Sequence, residues 1–364
     1  MSNSSDVIYL VSCAVNNVIP DQSRVEKMDL DEVYRVATHH MLKAAVAFAL
    51  DSAGIKDERS RDAISRSQRK TALFANAWEE IKPKLEEAGI WYMPLKGAIL
   101  KDLYPKFGMR EFSDYDILFD ASRASDMKNI MEELGFTTVK YGANNHDIYH
   151  KAPVLNFEMH TELMSFAESD RVREYYSHIE DRLIRDASYE RRFTPEDCYI
   201  YLIVHQHKHY SRGGTGLRSL MDTYIYLKHE ILDMCYVAAE TDKLGIRDYE
   251  EINRSLSQHL FDGEKLTPTE QEMLDYILSS GTYGTIKHNI QNKMQKRKWN
   301  KLQYALNRFF VPVKKTNPDY SVYARLYPTW YQHKILLLVL PFYRVARAVR
   351  SGRFKGEVKE LREV

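Results

Sequence analysis

Between residues 89 and 160 the apolar side chains stop recurring at helical intervals and begin to alternate, and this change of period bounds the fold of the whole chain. Upstream, Val33, Val36, Met41, Leu42, Ala45, Val46 and Leu50 follow steps of three, four and one, and Ala72, Leu73, Ala75, Trp78, Ile81 and Leu85 continue them. Inside the island, residues 90–95, 115–119, 136–141 and 154–160 read as strands, with 147–150 as a further candidate. A helix opens behind Gly97 over 96–103, and another over 126–134 stops on Gly135. After Pro195 the helical period returns, at 198–210, 217–229 and 268–279. These periods predict an α+β chain: helices over 1–85, a small sheet core over 86–165, a helical domain over 166–286, and a separate last segment over 287–364.

That last segment is set apart by charge. The chain carries a net +1, yet residues 287–364 hold 18 Lys and Arg against 4 Asp and Glu, a formal +14, which leaves −13 for the rest. A length of 364 residues suits two or three domains, and 44% hydrophobic residues give each a core. The three cysteines, Cys13, Cys198 and Cys235, are too few and too far apart for a disulfide framework or a zinc site. With no signal-peptide pattern, and no aliphatic run longer than 335–340, a cytoplasmic location is expected.

The chemistry concentrates in Phe112-Ser113-Asp114-Tyr115-Asp116-Ile117-Leu118-Phe119. On a strand, alternate side chains share a face, so Asp114 and Asp116 point one way while Ile117 and Phe119 face the core. Like charges side by side repel, and a divalent cation with a taste for oxygen, Mg²⁺ or Mn²⁺, removes the repulsion. A lone Asp-x-Asp also suits a solvated strand end. In Leu155-Asn156-Phe157-Glu158-Met159-His160 the apolar residues again take one face, and Glu158 with His160 takes the other. If the two strands are neighbours, Asp114, Asp116 and Glu158 converge as the catalytic and metal-holding set, with Glu158 completing the cage or taking a proton from the acceptor. Upstream, Gly97 between a strand and a helix start lets phosphate approach the backbone, with Lys96 beside it as a counter-charge.

These motifs, in this order, resemble a known family. Pro94-Leu95-Lys96-Gly97-Ala98, Leu103-Tyr104-Pro105, Gly108-Met109-Arg110, Asp114-Tyr115-Asp116-Ile117-Leu118, Asn156-Phe157-Glu158-Met159-His160, His205-Gln206-His207-Lys208-His209 and Gly216-Leu217-Arg218-Ser219-Leu220-Met221-Asp222 look like the signature of an uncharacterised bacterial nucleotidyltransferase family within the DNA polymerase β-like superfamily. The likeness covers residues 89–228. It implies a minimal nucleotidyltransferase mixed sheet flanked by helical N- and C-terminal regions, with Asp114 and Asp116 as metal ligands and Glu158 as the third acidic position. An NTP is then the substrate, ATP among the choices, and the acceptor is a protein, an RNA, a small molecule or a sugar or lipid carrier. Ala98 stands where many members of the superfamily place Ser against the terminal phosphates, which leaves Lys96, Gly97, Arg110 and Ser113 as the expected nucleotide-binding residues.

His205 and His209 share a helix face, and with Asp222 they would make a phosphohydrolase-like metal site; packing roles, or substrate contacts from His160, Lys208, His209 and Arg218, are the alternatives. Residues 287–315 hold nine Lys and Arg and no acid, interleaved with Trp299, Tyr304, Phe309 and Phe310, which suits RNA. The apolar segment at 335–342 followed by Arg344, Arg347, Arg350, Arg353 and Lys355 suits peripheral contact with an anionic membrane surface instead. The third option is that the segment packs on the acidic remainder of the chain.

Overall fold

Five short strands form one mixed sheet in the computed structural model, which describes residues 2–317 and 319–364. They are β1 (Tyr92–Pro94), β2 (Tyr115–Phe119), β3 (Thr137–Lys140), β4 (His146–Lys151) and β5 (Leu155–His160), in the order β1-β2-β5-β4-β3. β2 and β5 run parallel, and every other pair is antiparallel. The alternation expected from the sequence sends Tyr115, Ile117, Phe119, Tyr149, Phe157 and Met159 to one face. There they meet Phe74, Trp78 and Ile81 of helix Glu58–Glu87, and Met127 and Met131 of helix Ala124–Glu133. Tyr115 and Phe157 lie 5.1 Å apart between ring centroids, so the parallel pair is stapled on its core side. Each such side chain contributes about 1.5–3 kcal/mol on burial. The architecture is α+β, as the periods predict.

Two local expectations change. The apolar stripe from Val33 to Leu50 is two helices, Leu30–His39 and Lys43–Ser52, because Met41 sits at φ 54°, outside the helical region. The helix behind Gly97 is a single turn, Gly97–Leu100, continued by the 3₁₀ turn Lys101–Leu103. The later helices appear where the period returns, as Pro195–Arg212, Leu217–His229 and Pro268–Ser280.

The chain divides into two units. The first contains the described residues up to His207 together with Gly216–Thr282. Within it the N-terminal helix is tied to a late one: Ser12 Oγ and Asn16 Nδ2 both donate to the carbonyl of Phe261, at 2.6 and 2.9 Å. The second unit is Lys208–Thr215 with Tyr283–Val364. Its own small core gathers Val311, Leu337 and Leu340, with Tyr323, Tyr327, Trp330 and Tyr331 packed around them. Among the described residues no helix is long and apolar enough to cross a membrane.

Candidate active site

The sheet face turned away from the aromatic core carries the acids. Because β2 and β5 are parallel and in register, Asp116 stands directly beside Glu158, as Tyr115 does beside Phe157 on the other face. Asp114 precedes β2 by one residue, two positions from Asp116, so the three carboxylates gather at one edge. β4 pairs with β5 so that His146 lies opposite His160 and Ile148 opposite Glu158. The Nε2 atoms of His146 and His160 lie 3.7 and 3.8 Å from Glu158 Oε2. One ligand atom from each of His146, Glu158 and His160 lies within 4.8 Å of the other two, close enough to share an ion.

Burial decides the charges here. Glu158 is pushed up to about 7 by desolvation first, then by the negative charges of Asp116 and Asp114. Asp114 is raised for the same two reasons, burial and Asp116. Asp116 goes the other way. Its burial opposes ionisation, but the Lys96 ammonium and the His160 ring outweigh that and hold it well below the usual carboxylate range. Both partners meet the same oxygen: Lys96 Nζ and His160 Nε2 each lie 2.8 Å from Asp116 Oδ1. His146 is held down near 4 by desolvation, with the charges of His160 and Lys140 behind it.

Lys96 occupies this place at a conformational cost. It has φ 47° and ψ −115°, a region sparsely populated by residues with a side chain, and such a residue costs on the order of 1–3 kcal/mol. The turn is held because the backbone N–H groups of Ile99 and Leu100 both donate to the Lys96 carbonyl, and the N–H of Leu95 donates to the Asp116 carbonyl. The strained residue therefore presents its ammonium to Asp116, the acid of the group whose carboxyl is held down.

Gly97 and Arg110 turn out to be neighbours. A Cβ on Gly97 would come 2.5 Å from Arg110 Nη1, so the absence of a side chain is required by the guanidinium. Arg110 is itself buried, and its Nε and Nη2 donate to the two oxygens of Asp222 at 2.7 and 2.8 Å. Tyr104 Oη donates to the same carboxylate at 2.6 Å. Both oxygens of Asp222 are thus engaged in hydrogen bonds within the first unit. Arg110 Nη1 is buried beside Gly97 with no hydrogen-bond partner among the described residues.

The remaining sequence candidates fall in several places. Ser113 is half-buried and hydrogen-bonds Asp114. Arg218 Nη1 donates to the Glu111 carbonyl at 2.9 Å, and its charge reaches Asp114. Lys208 and His209 belong to the second unit, where His209 lines a cleft of about 380 Å³ with Arg212, Lys293 and Arg308. Two residues were not singled out for the site from sequence. His146 is placed by the β4–β5 pairing, and the alternation of His146, Ile148 and His150 is the signal that would have found it. Tyr201, on helix Pro195–Arg212, has a buried hydroxyl with no partner among the described residues, and it interacts electrostatically with Lys96, Asp116 and Glu158. Nothing in its helical surroundings marks it.

A family model described as an uncharacterised nucleotidyltransferase matches residues 26–262. The match takes in the sheet, the three carboxylates, the Lys96 turn and the helices that carry Tyr201 and Asp222. No curated protein and no solved structure shows significant similarity to the chain.

Proposed function

This chain belongs to the uncharacterised nucleotidyltransferase family, and we propose that it moves a nucleoside monophosphate from an NTP, ATP among the choices, to an acceptor hydroxyl with release of pyrophosphate. The observation that carries the reading is the parallel register of Asp116 with Glu158, with Asp114 at the same edge. The donor set fits a divalent cation: Glu158 and Asp114 are raised by burial and mutual repulsion, the signature of acids short of positive charge. Asp114, Asp116 and Glu158 would hold Mg²⁺, and the imidazoles of His146 and His160 beside Glu158 are compatible with Mn²⁺ as well. When bound, the ion supplies charge to the phosphoryl oxygens and to the attacking and leaving oxygens.

The chain's own groups do the rest. Lys96 offers an ammonium beside the carboxylates for the triphosphate, and the buried Tyr201 hydroxyl, which has no hydrogen-bond partner among the described residues, offers a donor to the same anion. Glu158, beside Asp116, completes the metal cage or takes the proton of the acceptor hydroxyl. The acceptor oxygen bonds to the α-phosphorus as the bond to the bridging oxygen breaks, and pyrophosphate departs with that electron pair. Ser113, Arg110 and Arg218 support this reading from behind, through Asp114, Gly97 and the Glu111 carbonyl. We propose a cytoplasmic reaction whose acceptor is a protein, an RNA, a small molecule or a sugar or lipid carrier.

The test is incubation with each α-labelled NTP, Mg²⁺ or Mn²⁺ and fractionated cell extract. Label should pass to an acceptor, and Asp116→Asn should lower the rate about a hundred- to a thousandfold, as for loss of a main transition-state charge contact. NTP binding with no transfer to any fraction would instead make this a nucleotide-binding protein that keeps the fold. Release of γ-phosphate without transfer of label would make it a phosphohydrolase.

A further inference from the structure

The transfer chemistry makes no use of the second unit, whose surface is built on a different plan. Residues 283–364 carry 18 Lys and Arg against 4 Asp and Glu, a formal +14. Two of the four acids are taken up inside the unit, Asp319 by Arg297 at 3.1 Å and Glu357 by Arg308 at 2.6 Å. Lys334, Arg347, Arg350 and Lys355 are exposed and have no carboxylate partner among the described residues.

Beside these cations lies an apolar surface that the unit does not cover. In the 3₁₀ turn Lys334–Leu338, which repeats every three residues, Leu337 goes inward with Leu340 while Ile335 and Leu338 stand 81% and 76% exposed. Helix Leu340–Arg350 continues the division. At 100° per residue, Leu340, Pro341, Arg344, Val345 and Ala348 form the inward sector, and Arg344 is fixed there by the Phe309 carbonyl and the Tyr323 hydroxyl. Phe342, Ala346 and Val349 form a second sector, exposed and apolar, with Phe342 at 64%. Tyr343, Arg347 and Arg350 form a third, exposed and cationic, next to the apolar one.

We propose that the second unit docks this protein on an anionic lipid bilayer, lying in the plane of the headgroups with Ile335, Leu338, Phe342 and Val349 inserted and Lys334, Arg347, Arg350 and Lys355 against the phosphates. An apolar row flanked by cations on a segment too short to span is the pattern of an interfacial anchor. Charge complementarity selects the anionic surface. An RNA groove would use the cations but has no use for exposed Ile335, Leu338 and Val349, since bases stack on aromatic rings. Tyr323, Tyr327 and Trp330 are packed in the unit's own core, and the exposed rings Phe342 and Tyr343 share their surface with exposed Ile335, Leu338 and Val349, an aliphatic neighbourhood that a bilayer accommodates.

The test is flotation of the full-length protein with phosphatidylcholine vesicles, with or without phosphatidylglycerol. The protein should float with the anionic vesicles at low salt and stay down with the neutral ones. The pair Ile335→Glu and Leu338→Glu, both on exposed side chains and checked for an unchanged melting temperature, should release it. The pair Arg347→Gln and Arg350→Gln should weaken partition about thirtyfold, from roughly five- to sixfold for each cation near the surface. Equal flotation with neutral vesicles, no flotation with either, or indifference to the Glu pair would each overturn the proposal. So would tight tRNA binding at physiological salt by a protein that ignores vesicles, or a Glu pair whose main effect is to dissociate a dimer.

Discussion

Both units are rich in cations, but the cations do different work because the first unit holds Lys96 and Arg110 against acids while the second leaves several of its cations exposed with no acid among the described residues. In the first unit Lys96 meets Asp116 at 2.8 Å and Arg110 grips Asp222 through two hydrogen bonds, all of them largely buried. In the second unit Arg347 and Arg350 stand in solvent with no acid beside them among the described residues. A positive residue near a carboxylate in low dielectric positions a site and tolerates little change. The same residue alone on a surface is available to an anionic partner and contributes little to folding. What a charge does is set by its partners and its burial, and not by a count along the chain.

The widest gap between the units should appear in stability. Arg110→Ala leaves Asp222 buried with only Tyr104, and should cost about 3–5 kcal/mol, as for breaking one side of a buried pair. Arg347→Ala should stay within about 0.5 kcal/mol. Chemical denaturation of the two variants reads the difference, and equal losses would remove the contrast between paired and unpaired cations.

A smaller effect, carried by the first unit alone, follows pH. Glu158 ionises near 4.5 in the unfolded chain and about 7 in the folded one, so the folded state holds an extra proton between those values. Its contribution is therefore full below 4.5 and is lost as pH rises through 7, by up to ~3 kcal/mol. His146, held near 4 against 6.5 unfolded, works in the opposite sense between those two values. The readout is accordingly the melting temperature of the wild type minus that of Glu158→Gln, which should fall from pH 5 to pH 8. Mg²⁺ should raise the wild-type value more at pH 8 than at pH 6. A flat difference would mean that Glu158 is an ordinary carboxylate.

The smallest effect uses one backbone feature found in both units. Lys96 and Lys298 both have positive φ, at 47° and 52°. Lys298 is the left-handed cap of helix Ile286–Arg297, and Lys298→Gly should stabilise by roughly 0.5–1 kcal/mol. Lys96→Gly should relieve similar strain and still be destabilising, because Asp116 loses its ammonium. If thermal melts show both glycines stabilising, Lys96 is not held in place by its charge.

The α+β class, the strand positions and the two carboxylate faces were legible in the sequence because each depends on local period. Alternation over 115–119 and 155–160 is enough to put Asp116 and Glu158 opposite the core residues. The break at Met41 and the shortness of the turn after Gly97 were not legible, since a side chain's period is silent about the backbone angle of a single residue. Nor was the partner of Arg110. Asp222 is 112 residues away, and which acid a buried guanidinium meets depends on how helices pack. The arrival of His146 beside Glu158 depends on the register of β4 against β5. Sequence alone marked Asp114, Asp116, Glu158 and Lys96 as chemically suited to metal and phosphate; tertiary structure decided which of them meet and brought in His146 and Tyr201, because pairing in low dielectric requires contacts between segments that local periodicity cannot specify.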